Sequence, residues 1–100
     1  MATFSIKRGD TAPALRYALF PDTIDLTGGT VVFNVRGLLD RRPASIITAS
    51  PPVVEYQWQT VDLDSVGLFL AEFEVTYPDG RVETFPPDNS LLVHVISDLG

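Results

Sequence analysis

Apolar and polar side chains alternate with a period of two along much of this chain. Val31, Phe33 and Val35 share one face of the first clear segment, and the residues between them fall on the other face. A strand points successive side chains to opposite faces, so this alternation predicts half-buried strands. The segments that show it are residues 31–36, 54–59, 69–77 and 91–95.

Shorter apolar segments between turn residues predict further strands. They occupy residues 4–7, 14–20, 45–49 and 81–85. The clearest turn is Pro78-Asp79-Gly80, where proline presets one dihedral angle and glycine accepts a left-handed conformation. It predicts an antiparallel hairpin between residues 69–77 and 81–85. Helical spacing is weak throughout, and only residues 62–67 are predicted to form a short helical turn, capped by Asp62.

Many short strands without connecting helices predict an all-β fold. We expect an immunoglobulin-like antiparallel β-sandwich of about seven to eight strands. Residues 64–71 resemble the corner that leads into a central strand of such sandwiches, with Trp58 as the large core aromatic. The 100 residues suit a single domain, with residues 1–3 and 97–100 frayed at its ends.

Composition and charge narrow the range of functions. The chain has no cysteine, which excludes disulfides, thiolate metal sites and a cysteine nucleophile. Its formal net charge is −6 with scattered acidic residues, and the nearest basic cluster is only Arg36, Arg41 and Arg42 in or beside one loop, so we predict no nucleic-acid binding. No apolar stretch approaches the roughly 20 residues of a membrane-spanning helix, and we predict no membrane partner.

The residues that could carry chemistry are few. His94 is the only histidine and, on the strand pattern, points away from the core face. Two pairs of aspartates, Asp22 with Asp25 and Asp62 with Asp64, have oxygen ligands that calcium accepts, but neither pair has the spacing of a calcium loop. Turn and capping roles suit them better. We therefore predict no catalytic residue, no metal and no cofactor, and hence that the protein is not an enzyme.

Some apolar residues fall on strand faces that should meet water. They are Val53, Leu70, Leu92 and Ile96. A small sandwich cannot bury both faces of every strand, so these four residues form a candidate protein-contact patch. The alternative is that loops cover them or that they lie at an edge.

The order of the motifs along the chain resembles one known family. The motifs are Gly9-Asp10-Thr11-Ala12-Pro13, Asp25-Leu26-Thr27-Gly28, Val31-x-Phe33-x-Val35, Tyr56-Gln57-Trp58, Asp62, Gly67-Leu68-Phe69-Leu70-Ala71-Glu72-Phe73-Glu74-Val75, Tyr77-Pro78-Asp79-Gly80 and Thr84-Phe85-Pro86. Together they are similar to the N-terminal domain of bacteriophage baseplate upper proteins, over residues 4–95. The resemblance implies an immunoglobulin-like domain that anchors a longer protein to the tail baseplate, and it supplies no catalytic residues.

The predicted function follows from that resemblance. We expect a bacteriophage virion structural protein that acts as a docking or assembly module in the tail or baseplate. Its partners would be other virion proteins, and its copies would form a homo-oligomer in a particle assembled in the host bacterial cytoplasm. Two alternatives stay open: a head decoration or adaptor protein, and an extracellular adhesion module that binds glycan or protein. Exposed aromatic residues among Tyr17, Phe20 and Tyr77 would favour the adhesion module.

Overall fold

A computed structural model describes residues 2–98, and eight strands form the fold. The strands are β1 (Ala2–Lys7), β2 (Leu15–Ala18), β3 (Thr30–Val35), β4 (Leu39–Thr48), β5 (Val53–Tyr56), β6 (Gly67–Thr76), β7 (Val82–Phe85) and β8 (Leu91–Ile96). Within residues 2–98 there is no helix, so none could cross a membrane. The expected all-β fold is confirmed, whereas the helical turn predicted at residues 62–67 is wrong.

The strands form a sandwich that one strand, β4, connects. The larger sheet has the order β1-β8-β6-β3-β4, with β7 also beside β6, and the smaller sheet has the order β4-β5-β2. The first half of β4 pairs with β3 through Ala44 and Val31, and its second half pairs with β5 through Ser45 and Glu55. Because β4 pairs on both sides, the eight strands form one continuous sheet that closes on itself as a sandwich.

One strand pair departs from the antiparallel arrangement that the sequence predicted. β1 runs parallel to β8, with Ala2 opposite Leu91 and Thr3 opposite Leu92. The expected fraying of residues 1–3 therefore does not extend to Ala2 and Thr3. Ser97 and Asp98 follow β8 and are exposed, while Met1, Leu99 and Gly100 lie outside the described residues.

The hairpin predicted at Pro78-Asp79-Gly80 is present. β6 and β7 pair antiparallel, and the Gly80 N–H donates to the Tyr77 carbonyl over 2.9 Å. Gly80 has a φ of +92°, a conformation that glycine adopts without the Cβ clash that other residues meet.

The inward faces of both sheets meet in an aromatic core. Phe33 lies at its centre, with ring centroids 4.7 Å from Phe73, 4.8 Å from Tyr56 and 5.8 Å from Trp58. The alternating residues of β3, β6 and β8 are buried on the same side. Because every second residue of these strands points into the core, the residues between them point outward. The candidate protein-contact residues of β6 and β8 therefore lie on the outer face of the larger sheet.

Candidate docking face

The outer face of the larger sheet carries a strip of apolar side chains. Leu70 of β6 lies directly opposite Leu92 of β8, and both are half-buried. Leu68, with 62% of its surface exposed, lies two residues before Leu70, and Ile96 lies diagonally across from it on β8. Side chains in such cross-strand positions are within reach of one another. We call Leu68, Leu70, Leu92 and Ile96 the apolar strip.

The strip contains three of the four residues predicted from the sequence as a contact patch. Leu70, Leu92 and Ile96 share this face. Val53 does not, because it lies in β5 of the smaller sheet, opposite Ala18 and Thr48. The sequence analysis missed Leu68, which the alternation of residues 69–77 would have placed outward had it been extended one residue towards the N-terminus.

A polar cleft continues the strip beyond Leu70. Its volume is about 330 Å³, and the β3–β4 hairpin forms one side of it while Asn89 reaches it from the β7–β8 connection. Asn34 lines the cleft and connects two of its sides through hydrogen bonds. The Asn34 side-chain amide donates to the Glu72 carboxylate over 3.4 Å, and the Asn34 side-chain oxygen accepts the Arg41 N–H over 2.6 Å. The strip and the cleft together form a surface with an apolar part and an adjoining polar part, and protein interfaces likewise combine apolar and polar areas.

His94 also lies on this outer face. It is exposed, as the strand pattern predicted, and it sits opposite Leu68 on one side and Ser5 on the other. Within residues 2–98, no three histidine, aspartate or glutamate side chains gather closely enough to hold a metal ion.

The aspartates considered as calcium ligands have structural partners. Asp25 caps its own turn by accepting the backbone N–H and the hydroxyl of Thr27. Asp62 is only 1% exposed and accepts from Arg42, the Tyr56 hydroxyl and the Gln59 N–H. Asp22 and Asp64 are exposed. The turn and capping interpretation accounts for Asp25, whereas Asp62 has a larger role that joins β4, β5 and the loop after β5.

The Tyr56–Asp62 contact predicts a loss of stability in alkali. Burial, together with the hydrogen bond to Asp62, raises the pKa of Tyr56 to about 12, against about 10 in an unfolded chain. The folded state therefore holds the phenol proton more tightly, so this stabilisation is complete below pH ~10 and is lost as the pH rises towards 12. We expect the free energy of unfolding, measured with denaturant at a series of pH values, to fall over this window.

Tyr56→Phe tests the assignment, because it keeps the ring in the core and removes only the hydroxyl. The variant should be less stable at neutral pH and should show a flatter decline between pH ~10 and ~12. An alkaline decline as steep as that of the unmodified protein would contradict the role given to Tyr56.

The three aromatic residues that would favour an adhesion module are not gathered in one place. Tyr77 donates to Glu83 over 2.8 Å and lies under Arg81, away from the other two. Tyr17 and Phe20 do lie together, in a second cleft between β2 and the residues that follow β7.

Comparisons of the chain with protein-family models, with curated proteins and with solved structures found no match.

Proposed function

We propose that this protein is a structural component of a bacteriophage virion that docks to another virion protein through the apolar strip. The observation that carries the proposal is the outward row of Leu68, Leu70 and Leu92 on a sheet whose other face is already packed. A paired sheet already fixes the backbone that carries these side chains, so docking costs little in backbone ordering, which favours recognition by shape. The motif resemblance supports a place in the tail or baseplate.

The charge of the chain favours a different protein over a second copy as the direct partner. With a net charge of −6, two copies repel each other, whereas a partner with a basic rim is attracted towards the polar cleft. Asp40 and Glu72 outnumber Arg36 among the charged residues that line the cleft, so the lining has a net negative charge. Copies then form an oligomer in the particle because each docks on a repeated partner, and repetition multiplies weak contacts.

Leu92→Glu is the direct test of the docking face. The substitution places a charge within the strip, directly opposite Leu70, where binding would have to desolvate it. We expect the variant to fold, with an unchanged circular dichroism spectrum and melting temperature within a few degrees. Its incorporation into particles purified from producing cells should fall at least tenfold, which corresponds to about 1.4 kcal/mol of binding.

Val82→Glu is the matched control. Val82 is also an exposed apolar residue of the larger sheet, but it pairs with Thr76 at the far end of β6, roughly 20 Å from Leu70 at about 3.3 Å per residue. It should leave incorporation unchanged. Unfolding of Leu92→Glu would assign Leu92 to the core, and equal incorporation of both variants would reject the strip. Labelled copies seen on heads instead of tails would favour the decoration role.

A further inference from the structure

A second cleft lies at the open seam between the two sheets. It has a volume of about 210 Å³ and is lined by Tyr17, Phe20, Phe85, Pro86, Pro87, Asp88 and Ser90. β2 is an edge strand of the smaller sheet, Phe85 ends β7, and the residues after Phe85 connect β7 to β8 in the larger sheet. The mouths of closed and nearly closed β-structures are common places for small-molecule sites.

The apolar part of this cleft consists of one aromatic ring that is packed against the core, Tyr17, and one that is exposed to solvent, Phe20. The Tyr17 ring stacks on the buried Phe73 with centroids 5.9 Å apart and an interplanar angle of 13°, which fixes its position. Phe20 is 75% exposed, the largest exposed fraction among the big apolar side chains of residues 2–98. An exposed phenylalanine beside a fixed tyrosine offers two ring surfaces to a ligand that has an apolar face.

The polar part of the cleft presents a donor and an acceptor side by side. Hydrogen bonds from Ser90 lower the pKa of Asp88, so this group is a carboxylate acceptor at neutral pH. Burial and the negative charge of Asp88 raise the pKa of Tyr17, so its phenol keeps its proton and remains a donor. The two groups can bind hydroxyls that both donate and accept hydrogen bonds.

From this juxtaposition we infer that the cleft binds one residue of a neutral saccharide, with the sugar ring on Phe20 and its hydroxyls on Asp88 and Tyr17. A pyranose ring combines an apolar C–H face with hydroxyls at its rim, and the cleft combines aromatic rings with a carboxylate and a phenol. The volume lies below the roughly 300–1,000 Å³ of drug-sized sites, which limits the ligand to about one ring. Asp88 and the net charge of −6 disfavour an acidic sugar.

This site is separate from the apolar strip. The strip lies on the outward face of the larger sheet at Leu68, Leu70, Leu92 and Ile96, and none of these residues lines the cleft. Each site can therefore be tested with substitutions that leave the residues of the other unchanged.

The test is a titration of the protein, followed by amide chemical shifts, with neutral methyl glycosides of glucose, galactose, mannose and N-acetylglucosamine. We expect at least one of them to shift the amides of residues 17–20, 85 and 88–90, with a Kd on the order of 1 mM for a ligand of about 13–16 non-hydrogen atoms. Phe20→Ala should weaken that binding at least tenfold, and Asp88→Asn and Tyr17→Phe at least threefold.

Val61→Ala is the matched control, because Val61 is 73% exposed and lies in the loop before β6, outside the cleft. It should leave the Kd unchanged. Absence of shifts with every glycoside up to its solubility limit would overturn the inference. So would a proline-rich peptide that shifts the same amides when no glycoside does, since that result would make the cleft a peptide groove. Particle incorporation of Phe20→Ala should stay normal in either case.

Discussion

Phe73→Ala should lower the free energy of unfolding by about 3–5 kcal/mol. Phe73 is fully buried and lies between the Phe33 and Tyr17 rings, so its removal leaves a cavity that both sheets line. The surrounding strands cannot close this cavity without losing their pairing with β6, and the lost contacts are therefore not replaced. Equilibrium denaturation with urea measures the change.

The control for Phe73→Ala is Leu68→Ala on the same strand. Leu68 points outward, so its truncation should change the free energy of unfolding by no more than about 0.5 kcal/mol. If Phe73→Ala cost well under 1 kcal/mol, the inward and outward faces of β6 would be misassigned, and the apolar strip defined from the same alternation would lose its basis.

Asp62→Ala should be the most destabilising substitution of a charged residue, at about 3 kcal/mol. The buried carboxylate accepts from the Tyr56 hydroxyl and the Gln59 N–H, and a buried donor that loses its acceptor costs about 1–3 kcal/mol. It also pairs with Arg42 over 2.8 Å, but the Arg42 side chain is 37% exposed, so water compensates for most of that lost pairing. Thermal and urea denaturation measure the loss.

Asp64→Ala is the matched control for Asp62→Ala, two residues along the same loop. Asp64 is exposed, and its carboxylate accepts only from Ser65 among the described side chains. Its removal should cost less than about 0.5 kcal/mol. Asp62→Asn, which keeps one side-chain oxygen, should fall between the two. Equal losses at positions 62 and 64 would show that the network around Asp62 contributes nothing beyond local turn structure.

The alternation of apolar and polar residues predicted only the second half of β4 and missed its first half. The sequence predicted only residues 45–49, because Asp40, Arg41, Arg42 and Pro43 carry no apolar alternation. In the fold this half lies at the end of the larger sheet, where a proline without an N–H is tolerated opposite Val32. Arg41 has a φ of +50° at an irregularity in the ladder, and the Asn34 side chain accepts its N–H there.

The role of Asp62 was beyond the reach of local sequence patterns. A cap bonds to residues that follow it, so the sequence placed Asp62 at the start of a helical turn. Its observed partners all precede it, and the most distant, Arg42, lies 20 residues earlier. Such a network depends on how β4 and β5 are brought together, and the alternation of side chains does not contain that information.

The alternation of apolar and polar residues by itself determined that the chain forms strands, and for β3, β6 and β8 it determined which side chains are buried. This information is local, because the geometry of a single strand fixes which face each side chain occupies. The partner and direction of each strand, by contrast, depend on contacts between residues far apart in the chain. Only the tertiary structure therefore placed β1 parallel to β8, separated Val53 from Leu70, and brought Tyr17 and Phe20 to the same cleft as Asp88.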